Sequence, residues 1–241
     1  MDADVPFARP SSSVVLLRPA DRAPEVFMVK RRPSASFGST FAFPGGVLEE
    51  SDALVHELCR GVTPAEADRR LGLASGGLDY YSAAIRELFE ESGVLLAEHA
   101  LSTQQLADAR RALNDATLRW DEFAADNGLT LCCDELHYFS FWVTPVGLPK
   151  RYSARFFLAQ IMGEQEACHD GGELTESCWM TAADILRARK MKSMKLPYVT
   201  RKTLQRVAKL DTVPELLAWA KACERQGVIC DQPAFPPQQF A

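Results

Sequence analysis

Ile85-Arg86-Glu87-Leu88-Phe89-Glu90-Glu91-Ser92-Gly93-Val94 is the stretch that decides how this chain folds. Its carboxylates at Glu87, Glu90 and Glu91 stand at i, i+3 and i+4, so on a helix they share one face. Like charges at that spacing repel and destabilise an isolated helix. A divalent cation is the simplest compensation, because hard ions such as Mg²⁺ take carboxylate oxygens and usually reach a protein together with substrate phosphates. Gly93 suits the left-handed position that closes a helix. Upstream, Thr40 to Phe43 reads as a short strand ending at Pro44-Gly45-Gly46, where the glycines let the backbone approach a ligand or metal closely.

Together the two segments resemble the Nudix box, Gly-x5-Glu-x7-Arg-Glu-U-x-Glu-Glu-x-Gly-U, in which U is bulky and aliphatic. Gly46 matches the first glycine, and Arg86, Glu87, Leu88, Glu90, Glu91, Gly93 and Val94 match the second half. Asp52 stands where the pattern has its first Glu. Residues 53–85 separate Asp52 from Arg86, which is 33 residues where the pattern allows seven, an excess of 26. The resemblance implies an α/β/α sandwich with a mixed central sheet. It also implies hydrolysis of nucleoside diphosphates linked to another moiety, by water attack at a pyrophosphate phosphorus assisted by Mg²⁺ or Mn²⁺. Glu87, Glu90 and Glu91 are the implied metal ligands, with the Gly46 carbonyl as an addition. Arg86 is the implied buttress, pairing with the acids and holding the glycine loop onto the helix. Asp is one methylene shorter than Glu, which puts the reach from Asp52 to Arg86 at issue. Leu88 and Val94 should face the core. A further Glu from a later loop is implied as ligand or general base. Glu164, Glu166, Glu173 and Glu176 are the candidates, with Glu176 favoured at a strand start before Trp179 and Glu173 next, in the loop after Gly171-Gly172.

The interruption itself resembles a branch of coenzyme A diphosphatases that carry a long insert inside the box, of which a peroxisomal mammalian enzyme is the familiar type. Arg31-Arg32-Pro33-Ser34 through Phe43-Pro44-Gly45-Gly46-Val47-Leu48 is similar to that branch's lead-in. Trp142-Val143-Thr144-Pro145, Leu148-Pro149-Lys150-Arg151-Tyr152 and Arg155-Phe156-Phe157-Leu158 are similar to its post-box segment. The broader coenzyme A signature is met loosely, with Phe37 near its leucine and Gly38 one place off its glycine. The resemblance implies coenzyme A or acyl-coenzyme A as substrate, cleaved to 3′,5′-ADP and (acyl-)4′-phosphopantetheine. The substrate's phosphates call for cations, and arginine forks suit them. Arg31, Arg32, Lys150, Arg151 and Arg155 are the candidates, Arg32 and Arg155 foremost, with Phe43 beside Arg31 as a further substrate contact. ADP-ribose, NADH or a nucleotide sugar is the alternative substrate. A Nudix-fold ligand sensor without turnover is the alternative class, argued against by the intact Glu87/Glu90/Glu91 set and kept open by Asp52 and the insert.

The chain has 241 residues, 47% hydrophobic and 24% charged, with a net charge of -5. That composition is ordinary for a globular protein of one large domain or one domain with appendages. No basic block stands out, so nucleic acid is not expected as a partner. Lys30-Arg31-Arg32 is short and sits just before the candidate site, where phosphate binding is its better use. No apolar run approaches the ~20 residues of a membrane span. Met1-Asp2-Ala3-Asp4 lacks the basic start of a secretion signal, and Gln239-Phe240-Ala241 is not a peroxisomal signal. These features lead to the expectation of a cytoplasmic protein, without a membrane partner. Seven cysteines with no Cys-x-x-Cys pair and four scattered histidines argue for reduced thiols and against a zinc site. Nudix enzymes are often dimers, so a homodimer is the expected assembly, with Trp120, Trp142 or the insert as candidate contacts.

Residues 1–10 read as a flexible tail, 11–190 as the Nudix domain with the insert at 53–85, and 191–241 as a C-terminal helical extension packed on it. Ser13–Arg18 and Glu25–Arg31 read as a hairpin, and Pro33–Ser39 as loop. The insert reads as small helices: Ser51–Cys59, then Ala65–Leu71 after a capping box at Thr63-Pro64-Ala65-Glu66. These helices dock as a lid, a dimer contact or a surface excursion. Tyr80–Ser92 is the helix of the acids, with Ser82 as a candidate cap. Residues 99–127 read as helical, with a capping box at Ser102, followed by strands at His137–Thr144, Arg155–Ile161 and Glu176–Met180. Helices begin at Thr181, near Pro197, and at a capping box at Thr212.

Overall fold

A computed structural model describes residues 7–32, 39–148 and 150–231. Residues 1–6, the stretch 33–38 with Phe37 and Gly38, Pro149 and residues 232–241 lie outside the described residues, and with them most of the expected tail and loop.

Two short sequences build the centre of the sheet. Val14-Val15-Leu16-Leu17 and Val26-Phe27-Met28-Val29 are apolar at every position, the pattern of strands covered on both faces. They lie in β1 (Arg9–Arg18) and β2 (Glu25–Arg31), and all eight side chains are fully buried. Because side chains alternate across a strand, Val14, Leu16, Phe27 and Val29 enter one core while Val15, Leu17, Val26 and Met28 enter the other. The chain then forms β3 (Phe41–Ala42), β4 (Gly45–Val47), a 3₁₀ helix at Glu50–Leu58 and β5 (Cys59–Arg60). Next come α1 (Pro64–Leu71), α2 (Gly77–Ser92), β6 (Ala97–Glu98), α3 (Thr103–Asn114), α4 (Trp120–Asp126) and β7 (Thr130–Cys132). The remainder is β8 (His137–Val143), β9 (Tyr152–Gln160), β10 (Leu174–Thr181), α5 (Ala182–Lys190), α6 (Tyr198–Val207), α7 (Val213–Gln226) and β11 (Cys230–Asp231).

The main sheet runs β10-β2-β1-β9-β8-β11, with β3 on β2 and β4 on β1. It is mixed: β1 pairs with β9 in parallel and with β2 and β4 antiparallel. The first core packs it against α2 through Ile85, Leu88 and Phe89, and the second against α5, α6 and α7 through Ile185, Leu204 and Leu216. Helices on both faces of one sheet make the expected α/β/α sandwich. No helix among the described residues is long and apolar enough to cross a membrane.

The helix starts follow the capping residues. Thr63, Ser102, Thr181 and Thr212 each accept from the backbone N–H three residues on, with Pro64 in the first turn of α1. Three readings change. Strand β1 begins at Arg9, inside the stretch read as tail, because Arg9 N–H donates to the Arg151 carbonyl and Arg9 lies in register with Tyr152. Helix α2 begins at Gly77 rather than at Tyr80, because the Asp68 carboxylate of α1 accepts the Gly77 N–H at 2.7 Å. Ser82 is therefore a buried residue of the helix interior, not its cap. The insert also contributes to a small second sheet, β5-β7-β6, in which Cys59 and Arg60 lie parallel to Leu131 and Cys132.

Candidate active site

The short β4 strand sits beside the N-terminal half of β1, Ser13 opposite Gly45 and Ser11 opposite Val47, and this register brings the glycine pair against α2. The Gly45 N–H donates to Glu91 Oε2 at 2.9 Å. A Cβ at Gly46 would collide with the Glu87 carboxylate and push it aside, so glycine lets that carboxylate lie against the strand.

Arg86 ties these parts together. It is 1% exposed, and its Nε and Nη2 donate to the two oxygens of Asp52 at 3.0 and 3.1 Å. Nη2 also donates to the Val47 carbonyl at 2.9 Å, while Nη1 donates to Glu87 at 3.0 Å and Glu90 at 3.1 Å. Asp52, fully buried, also accepts from the Glu49 N–H and from Ser82, whose hydroxyl in turn accepts the Trp120 indole N–H. The shorter acid thus reaches Arg86 because the 3₁₀ helix carries it inward. The network gives Arg86 and Asp52 the full set of hydrogen bonds that a buried ion pair requires. A second arginine brackets the other side: Arg31 donates to the Gly45 carbonyl at 2.6 Å, to Glu91 at 3.1 Å and to Glu173 at 2.6 Å. The C-terminal end of the acidic turn is held by α3, where Arg110 and Asn114 donate to the Glu90 carbonyl at 2.9 and 3.2 Å.

Burial dominates the acids' protonation, opposed by the two arginines. Burial pushes Glu90 up to about 7 against the pull of Arg86, with Glu87 adding to the rise. Glu91 is pushed up to about 8 by burial, opposed by Arg31, and Glu87 is raised for the same reason. Three carboxylates that resist ionising side by side favour a cation among them. Among the described residues no ready-made cage of three acidic, His or Cys groups is formed. Glu87 and Glu90 each turn one oxygen to Arg86, and among the described residues nothing bonds Glu87 Oε2 or Glu90 Oε1. Those two oxygens and the glycine cradle suit a hard divalent ion, while Glu91 is held by Arg31 and the Gly45 N–H.

A cleft of about 920 Å³ opens over this face. One part of the lining is the acidic turn with Arg31 and Glu173; another is the α3–α4 connection at Leu113–Trp120; a third is aromatic, with Phe43, Trp142, Phe156 and Tyr198. Trp142 meets Tyr198 edge-on at 5.9 Å, and Phe43 meets Phe156 edge-on at 6.4 Å.

A sequence model of a protein family, the NUDT19 Nudix domain, matches residues 75–207. The chain belongs to that family. The family places this Nudix protein among hydrolases that act on acid anhydrides. It is 25% identical over 234 residues to "Putative nudix hydrolase 7" of Caenorhabditis elegans, covering 93% of this chain and 68% of that one. It is 25% identical over 215 residues to "Acyl-coenzyme A diphosphatase NUDT19" of Xenopus laevis, covering 72% of this chain and 57% of that one. The crystal structure of a NUDIX hydrolase from Alicyclobacillus acidocaldarius shares the fold, with a TM-score of 0.68, 23% identity, and coverage of 88% of this chain and 96% of that one.

The Nudix cleft gathers some of the residues read from sequence and leaves out others. Arg86, Glu87, Glu90, Glu91, Gly46, Arg31 and Phe43 line it. Arg155 does not. It is 4% exposed, sandwiched between the rings of Tyr80 at 4.3 Å and Phe141 at 4.5 Å, and donates to the Leu71 carbonyl, so it stabilises the packing of the insert. Arg32 is exposed outside the cleft and donates to the Gly171 carbonyl. Glu176 faces Lys30 across β10 and β2 and pairs with it at 2.7 Å, away from the cleft; Glu173 lines the cleft. Glu164 and Glu166 are exposed elsewhere. Trp120 and Trp142, offered as dimer contacts, are buried within the chain at 2% and 6% exposure. Two contributors went unread: Arg9, an exposed cleft-lining cation within the stretch read as tail, and Tyr198, just beyond Pro197. Pro197 signalled the helix start but nothing in the sequence linked it to the acids.

Proposed function

We propose that this Nudix hydrolase is a divalent-metal-dependent diphosphatase that cleaves the pyrophosphate of coenzyme A or acyl-coenzyme A, giving 3′,5′-ADP and (acyl-)4′-phosphopantetheine. The observation that carries the reading is the single face of Glu87, Glu90 and Glu91, braced by buried Arg86 and opening onto a long cleft. Glu87, Glu90, Glu91 and the Gly46 carbonyl would hold Mg²⁺ or Mn²⁺. Such an ion, when bound, neutralises charge on the phosphate oxygens and lowers the pKa of attacking water.

The chain's own residues do the rest. Arg86 keeps the acidic turn, the glycine strand and Asp52 in one rigid unit. Arg31 shuttles between Glu91 and the incoming diphosphate, a geometry its planar fork suits. Glu173, at the cleft mouth, takes the proton of the attacking water; Lys30 keeps Glu176 out of that role. Arg9 meets the charged substrate at the rim. The substrate class is favoured by likeness to a relative whose name is acyl-coenzyme A diphosphatase, and by a cleft at the upper end of the usual ligand-pocket range.

The test is product analysis with Mg²⁺ on coenzyme A, acetyl-coenzyme A, ADP-ribose, NADH and a nucleotide sugar, with Glu90→Gln as control. The expected result is 3′,5′-ADP from the coenzyme A substrates and no product with the variant. AMP from ADP-ribose or NADH alone overturns the substrate; no product from any substrate overturns the catalytic reading.

A further inference from the structure

Between Asp184 and Asp211 the chain carries nine Lys and Arg residues and no acid, although its net charge is -5. This segment includes the end of α5 and all of α6. The cations are spaced along it, so no run of basic residues marks it in the sequence. Folding brings three of them, Arg201, Lys202 and Arg206, against cleft-lining rings, in the stretch where Pro197, Tyr198, Val199 and Thr200 form part of the cleft wall. Arg201 and Lys202 follow one turn later and reach back over the Tyr198 ring, at 5.1 and 5.6 Å from its centroid. Arg206 lies 6.0 Å from the Trp142 ring that Tyr198 meets edge-on. Arg201 and Lys202 are half-buried, and among the described residues neither pairs with a carboxylate.

Two adjacent cations held against one ring without a counter-ion raise the local positive potential, and an anion there is the natural complement. The cleft joins this end to the three glutamates, so one occupant spans both. Such an occupant has a diphosphate at the acidic end, a planar base for the aromatic end and an additional anion beyond it.

We propose that Arg201 and Lys202, stacked over Tyr198, bind a phosphate that the substrate's nucleotide half carries away from the diphosphate being cleaved. The proposal rests on the diphosphatase reading of the cleft. It makes α6 a selector for nucleotides phosphorylated on the ribose.

Calorimetric titration of the full chain without added metal, using 3′,5′-ADP and 5′-AMP as probes, tests this directly. The wild type should bind 3′,5′-ADP about tenfold more tightly than AMP, the worth of one or two charged hydrogen bonds. In R201Q/K202Q that ratio should fall to about one. In the charge-matched K190Q/K209Q, altered at exposed positions outside the cleft wall, it should persist. The single variants R201Q and K202Q, each lowering the ratio by about threefold, serve if the double variant does not fold. A ratio near one in the wild type, a ratio preserved in R201Q/K202Q, or an equal loss in K190Q/K209Q overturns the proposal. Turnover separates the two readings. A wild type that binds 3′,5′-ADP selectively but hydrolyses no diphosphate keeps the α6 site and sinks the diphosphatase. Equal kcat/KM for coenzyme A and its 3′-dephospho form does the reverse.

Discussion

At its acidic end the cleft is fixed by charges that find partners inside the protein: Arg86, 1% exposed, meets Asp52, 0% exposed, and reaches Glu87 and Glu90 from the same guanidinium. At its aromatic end Trp142 and Tyr198 meet edge-on, and among the described residues the cations over Tyr198 have no carboxylate to answer them. The first end is held rigid by its own network. The second is held by packing of β8 against α6 and leaves its charge for something outside. The difference teaches where catalysis and selectivity should separate: changes at the first end should cost turnover or stability, and changes at the second should cost affinity.

The strongest break is expected at Glu90. Glu90→Gln keeps the shape of the side chain and the Arg86 contact geometry while removing a charged ligand. Turnover with Mg²⁺ should fall by about a thousandfold, with the circular dichroism spectrum unchanged. Retained turnover would sink the metal assignment.

Next is the ion pair beneath the acids. Removing one partner of a buried pair costs up to about 3–5 kcal/mol, and less for Asp52, because Glu87 and Glu90 still face Arg86. Asp52→Asn should lower the urea midpoint accordingly, and Arg86→Ala should do so while also abolishing turnover. An Asp52→Asn protein as stable as wild type would mean that the network is not what holds this end.

The acids themselves give a pH signature. Glu90 and Glu91 are pushed up to about 7 and about 8 by burial, from an ordinary value of 4.5. In the metal-free protein these groups stay protonated in the folded state while the unfolded chain has already ionised. Their contribution to stability is therefore fully present below about pH 4.5 and is lost as pH rises through 7 to 8. The loss is on the order of 3 kcal/mol for Glu90 alone, with Glu91 adding to it. Urea unfolding at pH 5 and pH 8 in a chelator should reveal it, and saturating Mg²⁺ should abolish it. Stability that rises over this range without metal would contradict the burial argument.

Much of this architecture was legible from residues alone. The β-rich Ser13–Arg18 and Glu25–Arg31 segments around a turn-like stretch announced a hairpin, and Thr63, Ser102, Thr181 and Thr212 announced helix starts because a side-chain oxygen three residues before a free N–H is a local interaction. The acids of α2 were legible for the same reason: they belong to one turn. What escaped depends on distant pairing. Strands β5, β6 and β7 are two or three residues long, too short for any period to appear. Arg155 has the chemistry of a phosphate ligand, but the alternation of β9 sends it between Tyr80 and Phe141. Glu173 and Glu176 are three residues apart, and only the register of β10 on β2 hands Glu176 to Lys30.

That last pair gives a direct comparison of two acids at one edge of the sheet. Glu173→Gln should lower kcat by about a hundredfold, the usual worth of a general base. Glu176→Gln, which loses an exposed pair with Lys30, should change kcat by less than about twofold. The reverse order would return the base to Glu176 and require β10 to shift its register.

The smallest effect is expected at the aromatic end, and it sharpens the contrast most. Tyr198 stands at the first turn of α6 and Trp142 at the end of β8, so neither touches the acidic turn in any described contact. Removing the Tyr198 ring takes away a stacking surface worth about 1–3 kcal/mol to a bound base. Tyr198→Ala should therefore raise KM for the cleaved diphosphate by about tenfold or more and leave kcat nearly unchanged. Tyr198→Phe, which keeps the ring under Arg201 and Lys202, should restore most of the affinity. A fall in kcat equal to the rise in KM would mean that the ring acts in the transition state, joining the two ends of the cleft into one device. A change in KM alone keeps them apart, with α2 carrying the chemistry and α6 the choice of substrate.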